Sequence, residues 1–214
     1  MPKLKPDTQR ARRVHILDAA ERCFAVSGFH RTTMQDICRE AGISAGALYV
    51  YFSSKEDLIA GLCERDRAKL STQLASLAEA PDLMAALAAL GAHYAIEEPL
   101  HKRKLFVEIG AESTRNEAVG ETFRSVDRFV LEAFESLFAR AQAEGRIAPT
   151  VEPAILAQLV ALMGDGMFWR RAVDPNFDAK TVLPALTALI STLVNPIPPT
   201  PDTAEAEEVD EVSS

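Results

Sequence analysis

Between Thr33 and Phe52 the chain carries two helical segments too short to hold themselves together, so whatever surrounds them has to brace them. Met34, Ile37 and Ala41 recur at helical spacing, and Gly42 stops that segment after about two turns. The turn is Ala41-Gly42-Ile43-Ser44. Gly42 supplies a positive backbone angle, Ile43 points back toward a small core, and Ser44 caps a third helix over 45–51. Thr33, with Asp36 three residues on, opens the second helix as a capping box, and Ser54 with Asp57 repeats the device ahead of a helix over 55–78. On the other side, Ile16, Leu17, Ala20 and Phe24 form one stripe of a helix over 8–27, which Gly28 terminates. Two short helices joined by a tight turn, with a longer helix on each side, describe a helix-turn-helix. Leu48 should meet Phe24, Ile37 and Ile43 there, with Phe52 closing the base.

The remainder reads as helical too, with no alternating β-branched stretch that would make a strand. A fifth helix is expected over 81–98, stopped by Pro99, and a sixth over 100–112. Asn116 caps a long seventh that Gly145 ends, and Pro153 stands at the first position of an eighth running to 173. A ninth covers 180–194; with Thr181 as its cap, Pro184 falls in the first turn, where a missing N–H does no harm. The expected fold class is therefore all-α, with about nine helices. Its divisions are a helix-turn-helix domain over 1–54, a helical body over 55–195, and a tail over 196–214. That tail is proline-rich and then acidic, and is expected to be disordered because it holds too little apolar surface to offset chain entropy.

A net charge of −8 argues against nucleic acid until its distribution is read. The last thirteen residues hold six acids and no base, whereas residues 1–52 carry eight Lys or Arg against five Asp or Glu. A positive end on an acidic chain suits local contact with phosphate. Three widely spaced cysteines, Cys23, Cys38 and Cys63, form neither a disulfide framework nor a zinc knuckle. No membrane span, secretory signal, nucleophile elbow or Gly-rich phosphate loop is present, so a cytoplasmic, cofactor-free and metal-free protein that is not an enzyme is expected.

The third helix leaves Ala45, Gly46, Ala47, Val50 and Tyr51 exposed, small residues that would let its N-terminal end enter a major groove deeply. The other reading is a short connector in a helical bundle. The stretch 16–62, ILDAAERCFAVSGFHRTTMQDICREAGISAGALYVYFSSKEDLIAGL, resembles the DNA-binding domain of the tetracycline-repressor (TetR) family. The matching features include Gly28-Phe29, Thr32-Thr33, Asp36-Ile37, Ala41-Gly42-Ile43-Ser44, Gly46, Leu48-Tyr49, Tyr51-Phe52 and Ser54-Lys55-Glu56.

The resemblance implies a transcriptional repressor that binds operator DNA. It gives Thr33 and the neighbouring amides a phosphate oxygen, Gln35 a base edge, Tyr49 and Tyr51 hydroxyl contacts to the backbone, and Lys55 a charged one. Ala45, Ala47 and Val50 would face bases, with Gln35 and Ser44 the main polar readers. Many relatives are polar or basic at position 45 and carry threonine at 47; two methyl groups here shift the burden toward DNA shape. A packing role is the alternative for Tyr49.

Helices eight and nine are apolar on more than one face, and Gly164 and Gly166 would let a partner helix approach closely. The resemblance makes these two helices the homodimer interface. An effector pocket is expected among helices four to eight, with Cys63, His93, Phe106, Ile109, Phe123, Val126, Met163 and Trp169 as candidates and an apolar or aromatic small molecule as occupant. His93 and Glu97 have metal-ligand spacing, but a solvated helix pair is the plainer reading. The rival function is a structural or nucleoid-associated DNA-binding protein without an effector.

Overall fold

The structure, a computed structural model, describes residues 6–198. Among them the named elements are helical: α1 (Pro6–Arg31), α2 (Met34–Ala41), α3 (Ala45–Tyr49), α4 (Lys55–Ala78), α5 (Leu83–Ala92), α6 (Leu100–Ser113), α7 (Glu117–Ala143), α8 (Pro153–Val173) and α9 (Ala179–Val194). No helix among the described residues is long and apolar enough to cross a membrane.

The local signals act where they stand. Thr33 accepts from the amide of Asp36, whose carboxylate takes the Thr33 amide in return, and Gly42 ends α2 in the left-handed region at φ 61°. Ser44 accepts from the amide of Ala47 and Ser54 from that of Asp57. Asn116 does the same for Val119 at the head of α7.

Three expectations fail. The fifth helix does not run evenly to residue 98: after Ala92 it widens into a π-helical turn, His93–Glu97, a form that often marks functional sites. The cap of α9 is Asp178, which accepts from the amide of Lys180 and the hydroxyl of Thr181. Pro184 therefore stands at the sixth helical position, one turn past the harmless zone, and removes an interior hydrogen bond. The third concerns the tail, whose start at residue 196 is too early. Asn195 turns left-handed, Pro196 pairs with Ile147, and the Ile197 amide donates to the Arg146 carbonyl at 2.9 Å. The acidic stretch from 199 onward lies outside the described residues.

Packing divides along the length of α4. One core joins Ile16, Leu17, Phe24, Ile37 and Leu48 of the first three helices to Leu58, Ile59 and Leu62 of α4, Leu105 and Ile109 of α6, and Val119 of α7. A second gathers the far end of α4 (Leu74, Leu77) with Phe134, Leu137 and Phe138 of α7, Leu156 of α8 and Val194 of α9. The expected division at residue 54 thus falls inside one continuous core.

Ile147, in the connection between α7 and α8, is buried in the second core and held by the strand-like pairing with Pro196. Ile147→Ala should cost about 2–5 kcal/mol in urea unfolding, the range for a truncated core isoleucine. A loss under about 1 kcal/mol would show that this connection is only a surface strap.

Candidate nucleic-acid interface and its coupling to the body

The three-helix head presents α3 outward. Leu48 is its buried anchor, while Ser44, Ala45, Gly46, Tyr49 and Val50 are exposed and Ala47 and Tyr51 half-buried. Val50 is 79% exposed and Tyr49 55%, so the packing reading of Tyr49 fails. Tyr51 instead rests on the edge of the first core. Gly46 has helical backbone, and a Cβ built on it would meet nothing within 4 Å. Nothing inside the molecule requires a glycine there. Thr33 and Gln35 are both exposed at the start of α2, on the same side of the turn. The Thr33 hydroxyl donates to Asp36 Oδ2 at 2.7 Å, so the cap already uses its hydrogen.

Lys55 reaches back to the end of α1. Its ammonium donates to the carbonyls of Phe29 and His30 and sits 4.3 Å from the centre of the Phe29 ring. A cation at a helix C-terminus meets the negative end of the dipole, which is why the carbonyls capture it. In the free chain Lys55 thereby caps the end of α1.

That end is where head and body meet. Gly28 breaks the helix at φ 78°, and a Cβ there would lie 2.8 Å from Glu108 Oε1 of α6. The glycine leaves room for that carboxylate to accept the Phe29 amide at 2.7 Å. Next to it, buried Glu112 takes His30 Nε2 at 2.8 Å and Arg115 at 3.0 Å. Thr32, also buried, donates to the carbonyls of Gly28 and Cys23 and closes the turn. The partner of Glu108 is a backbone amide 79 residues away, which no local pattern reveals.

About two turns earlier along α1, buried Glu21 ties α1 to α4 and α6. Arg65 of α4 and His101 of α6 (2.8 Å) bond to it, with Lys102 3.8 Å away. Burial pushes the Glu21 carboxyl up, but the Arg65 hydrogen bond and the charges of Lys102 and Arg65 outweigh it, leaving the pKa below 4.5. A carboxylate depressed in the folded state stabilises above its unfolded pKa, and that stability is lost as pH falls through the folded value.

The body residues expected to line a pocket separate into groups. Phe106 and Phe123 lie tilted to each other at 6.1 Å, Phe106 meets Phe168 edge-on at 5.4 Å, and Phe168 approaches Tyr94 at 6.4 Å. These rings are half-buried, as are Cys63, Val126 and Met163; Phe123 and Cys63 pack against the first core and Phe168 against a small third cluster of Ala95, Met167 and Ala179. Burial lifts the Cys63 thiol to about 11, which makes it a packing group rather than a nucleophile. Ile109 belongs to the first core. His93 lies between Lys69 (2.8 Å) and Glu97 (3.1 Å) on the π-helical turn.

Trp169 was expected to point inward and does not. It is 54% exposed, because one residue along a helix rotates the side chain by about 100° and Phe168 holds the inward position. Trp169 instead joins Ile155, Leu162 and Val173 in an exposed apolar stripe on α8, beside exposed Val182 and Leu189 of α9. Gly166, on the same stripe, has open space where a Cβ would go.

Replacing Glu21 by Gln should lower stability at pH 7, and the gap from the unaltered protein should close as pH falls below 4.5. Urea unfolding at pH 7 and pH 4 measures this; a gap that is independent of pH would mean that the charge of Glu21 contributes nothing.

Comparison with known proteins agrees with this geometry. Residues 16–62 match the profile of bacterial regulatory proteins of the tetR family, and residues 97–195 match the C-terminal domain of BetI-type transcriptional repressors. The transcriptional regulator UidR of Escherichia coli K12 is 31% identical over 152 residues, which cover 69% of this chain and 75% of UidR. Salmonella enterica GusR superposes with a TM-score of 0.74 at 30% identity, over 86% of this chain and 95% of GusR. SmeT in complex with triclosan shares the fold at 23% identity and a TM-score of 0.72, over 90% and 100% of the two chains. The chain belongs to the TetR family of helix-turn-helix transcriptional regulators, DNA-binding proteins and not enzymes.

Proposed function

We propose that this chain is a repressor that binds a palindromic operator as a homodimer through α8 and α9 and is released by a small apolar or aromatic effector. The observation that carries the DNA half is Gly46: a helical glycine with nothing near it in the free protein is explained by a surface that approaches from outside. With Ala45, Ala47 and Val50 beside it, α3 can seat its backbone against base edges, leaving Gln35 and Ser44 as polar readers and Tyr49, Tyr51 and, once its hydroxyl turns from Asp36, Thr33 for the phosphates. Two such helices related by a two-fold axis would read half-sites about one helical turn apart, roughly 34 Å.

Gly46→Ala separates stability from recognition. The variant should be as stable as the parent or up to about 1 kcal/mol more stable, since alanine favours the helix and nothing obstructs it. Its operator affinity in fluorescence anisotropy should fall about tenfold or more, the equivalent of 1.4 kcal/mol. Undiminished affinity would remove α3 from the groove.

The exposed stripe of α8 with its open glycine supports a helix-to-helix contact between two copies. An apolar row of this length left in water favours association. Leu162, 66% exposed, is the central test. Leu162→Glu should weaken dimerisation about a hundredfold or more, because each copy would have to bury a carboxylate in an apolar contact. Sedimentation that still gives a tight dimer would move the interface elsewhere.

The effector half rests on the linked, half-buried rings of Phe106, Phe123 and Phe168, with Cys63, Val126 and Met163 half-buried as well. SmeT, of the same fold, is solved with the small molecule triclosan. Release would be exerted through α4 and α6, which contact both the rings and the head. A coupling of about 1–3 kcal/mol is typical of such linkage, and operator DNA would weaken the effector by the same factor.

A further inference from the structure

Cations from three helices converge near the π-helical turn at residues 93–97. Glu98, buried just after it, is bonded by Arg103 of α6 and by Lys69 of α4 at 3.2 Å, with Lys102 4.0 Å away. Arg171 of α8 reaches the same turn and donates to the Ile96 carbonyl at 2.9 Å. It forms no ion pair among the described residues, and its charge, after burial the main unfavourable influence, pulls the Arg103 pKa down. Two guanidiniums from different helices therefore share one carboxylate and one carbonyl.

Each also has a donor left over. Arg103 Nε and Arg171 Nη1 are sealed from solvent with no hydrogen-bond partner among the described residues. Buried donors nearly always have partners, and a buried charge without one is costly, so such orphans point to a water or an ion that belongs there. Guanidinium groups favour planar oxyanions, which they bind with paired hydrogen bonds. The Arg103 guanidinium lies 4.0 Å over the Phe168 ring, from which the aromatic row runs on to Phe106 and Phe123.

We propose that Arg103 and Arg171 form the anchor for the carboxylate of an aromatic organic acid, whose ring lies against Phe168 and Phe106. The inference rests on the effector reading above and narrows its ligand class, since a purely apolar molecule would leave both arginine donors unmatched. Arg171 is the better handle for a test: it holds one carbonyl and no carboxylate, so its loss should leave the fold intact, whereas Arg103 partners buried Glu98.

The experiment titrates benzoate into the full-length protein by calorimetry and thermal unfolding, with benzamide as the neutral molecule of the same shape and inorganic phosphate as a ringless anion. Benzoate should bind saturably and raise the Tm, benzamide and phosphate should not, and Arg171→Met should weaken benzoate about 10- to 100-fold, as loss of a charged hydrogen bond does. The ligand-free Tm of that variant should stay unchanged or rise, because a like charge beside Arg103 has gone.

No saturable benzoate binding up to about 10 mM, where millimolar affinities register, would overturn the assignment. Equal binding of benzamide would overturn it as well, as would phosphate binding as tightly as benzoate. A marked fall in the ligand-free Tm of Arg171→Met, with benzoate binding kept, would mark Arg171 as structural and sink the proposal. Anisotropy with operator DNA keeps the two readings apart. Benzoate that binds without changing operator affinity supports the anion site and removes its effector role, while failure of benzoate to bind leaves the effector reading standing.

Discussion

Helices of eight and five residues have no stability of their own, so α2 and α3 exist only as far as the core beneath them does. That core is not private to the head. Leu58, Ile59 and Leu62 of α4, Leu105 and Ile109 of α6 and Val119 of α7 fill the same space as Phe24, Ile37 and Leu48. The orientation of the outward face of α3 is consequently a property of the whole upper half of the molecule. Close-packed interiors transmit displacement instead of absorbing it, so a shift of α4 or α6 moves the face that carries Gly46 and Val50.

The polar contacts make this link directional. Apolar packing alone would let α6 slide along α1, because hydrophobic contact has little angular preference. Glu108 on the Phe29 amide, Glu112 on His30 and Glu21 on Arg65 and His101 fix three points at the α1–α6 seam, each with a charged acceptor. Lys55 pins the start of α4 to the end of α1 from the other side. Charged hydrogen bonds at a sheltered seam are strong and geometrically demanding, so the two halves move together or the bonds break. In the proposed mechanism, a ligand at the far side of α6 acts on this seam, and it can shift the head only by the difference in its affinity for the two arrangements.

How much of this was legible in the sequence follows from the range of each interaction. The caps at Thr33, Ser44, Ser54 and Asn116, and the glycine stops at Gly28 and Gly42, act within about four residues, and each stands where its local pattern places it. The α9 cap failed within the same range because two candidates, Asp178 and Thr181, lie one turn apart, and Asp178 holds the Thr181 hydroxyl as well as the helix amide. Phe168 and Trp169 are equally apolar by type. Which of them faces inward is decided by the rotation of α8 against α6, and adjacent positions on a helix cannot both face the same way.

The sequence by itself determined the helical class, the tight turn with its capped helices, and the small-residue face of α3, because sterics and hydrogen bonds between near neighbours produce them. Only the tertiary structure decided that Lys55 caps α1, that Glu108 serves a backbone amide, and that Arg103 and Arg171 come to one π-helical turn with a donor each to spare. Those outcomes depend on which charges are shut away from water together. Desolvation and Coulomb energy act through space between residues far apart in the chain, and no periodicity along the chain records them.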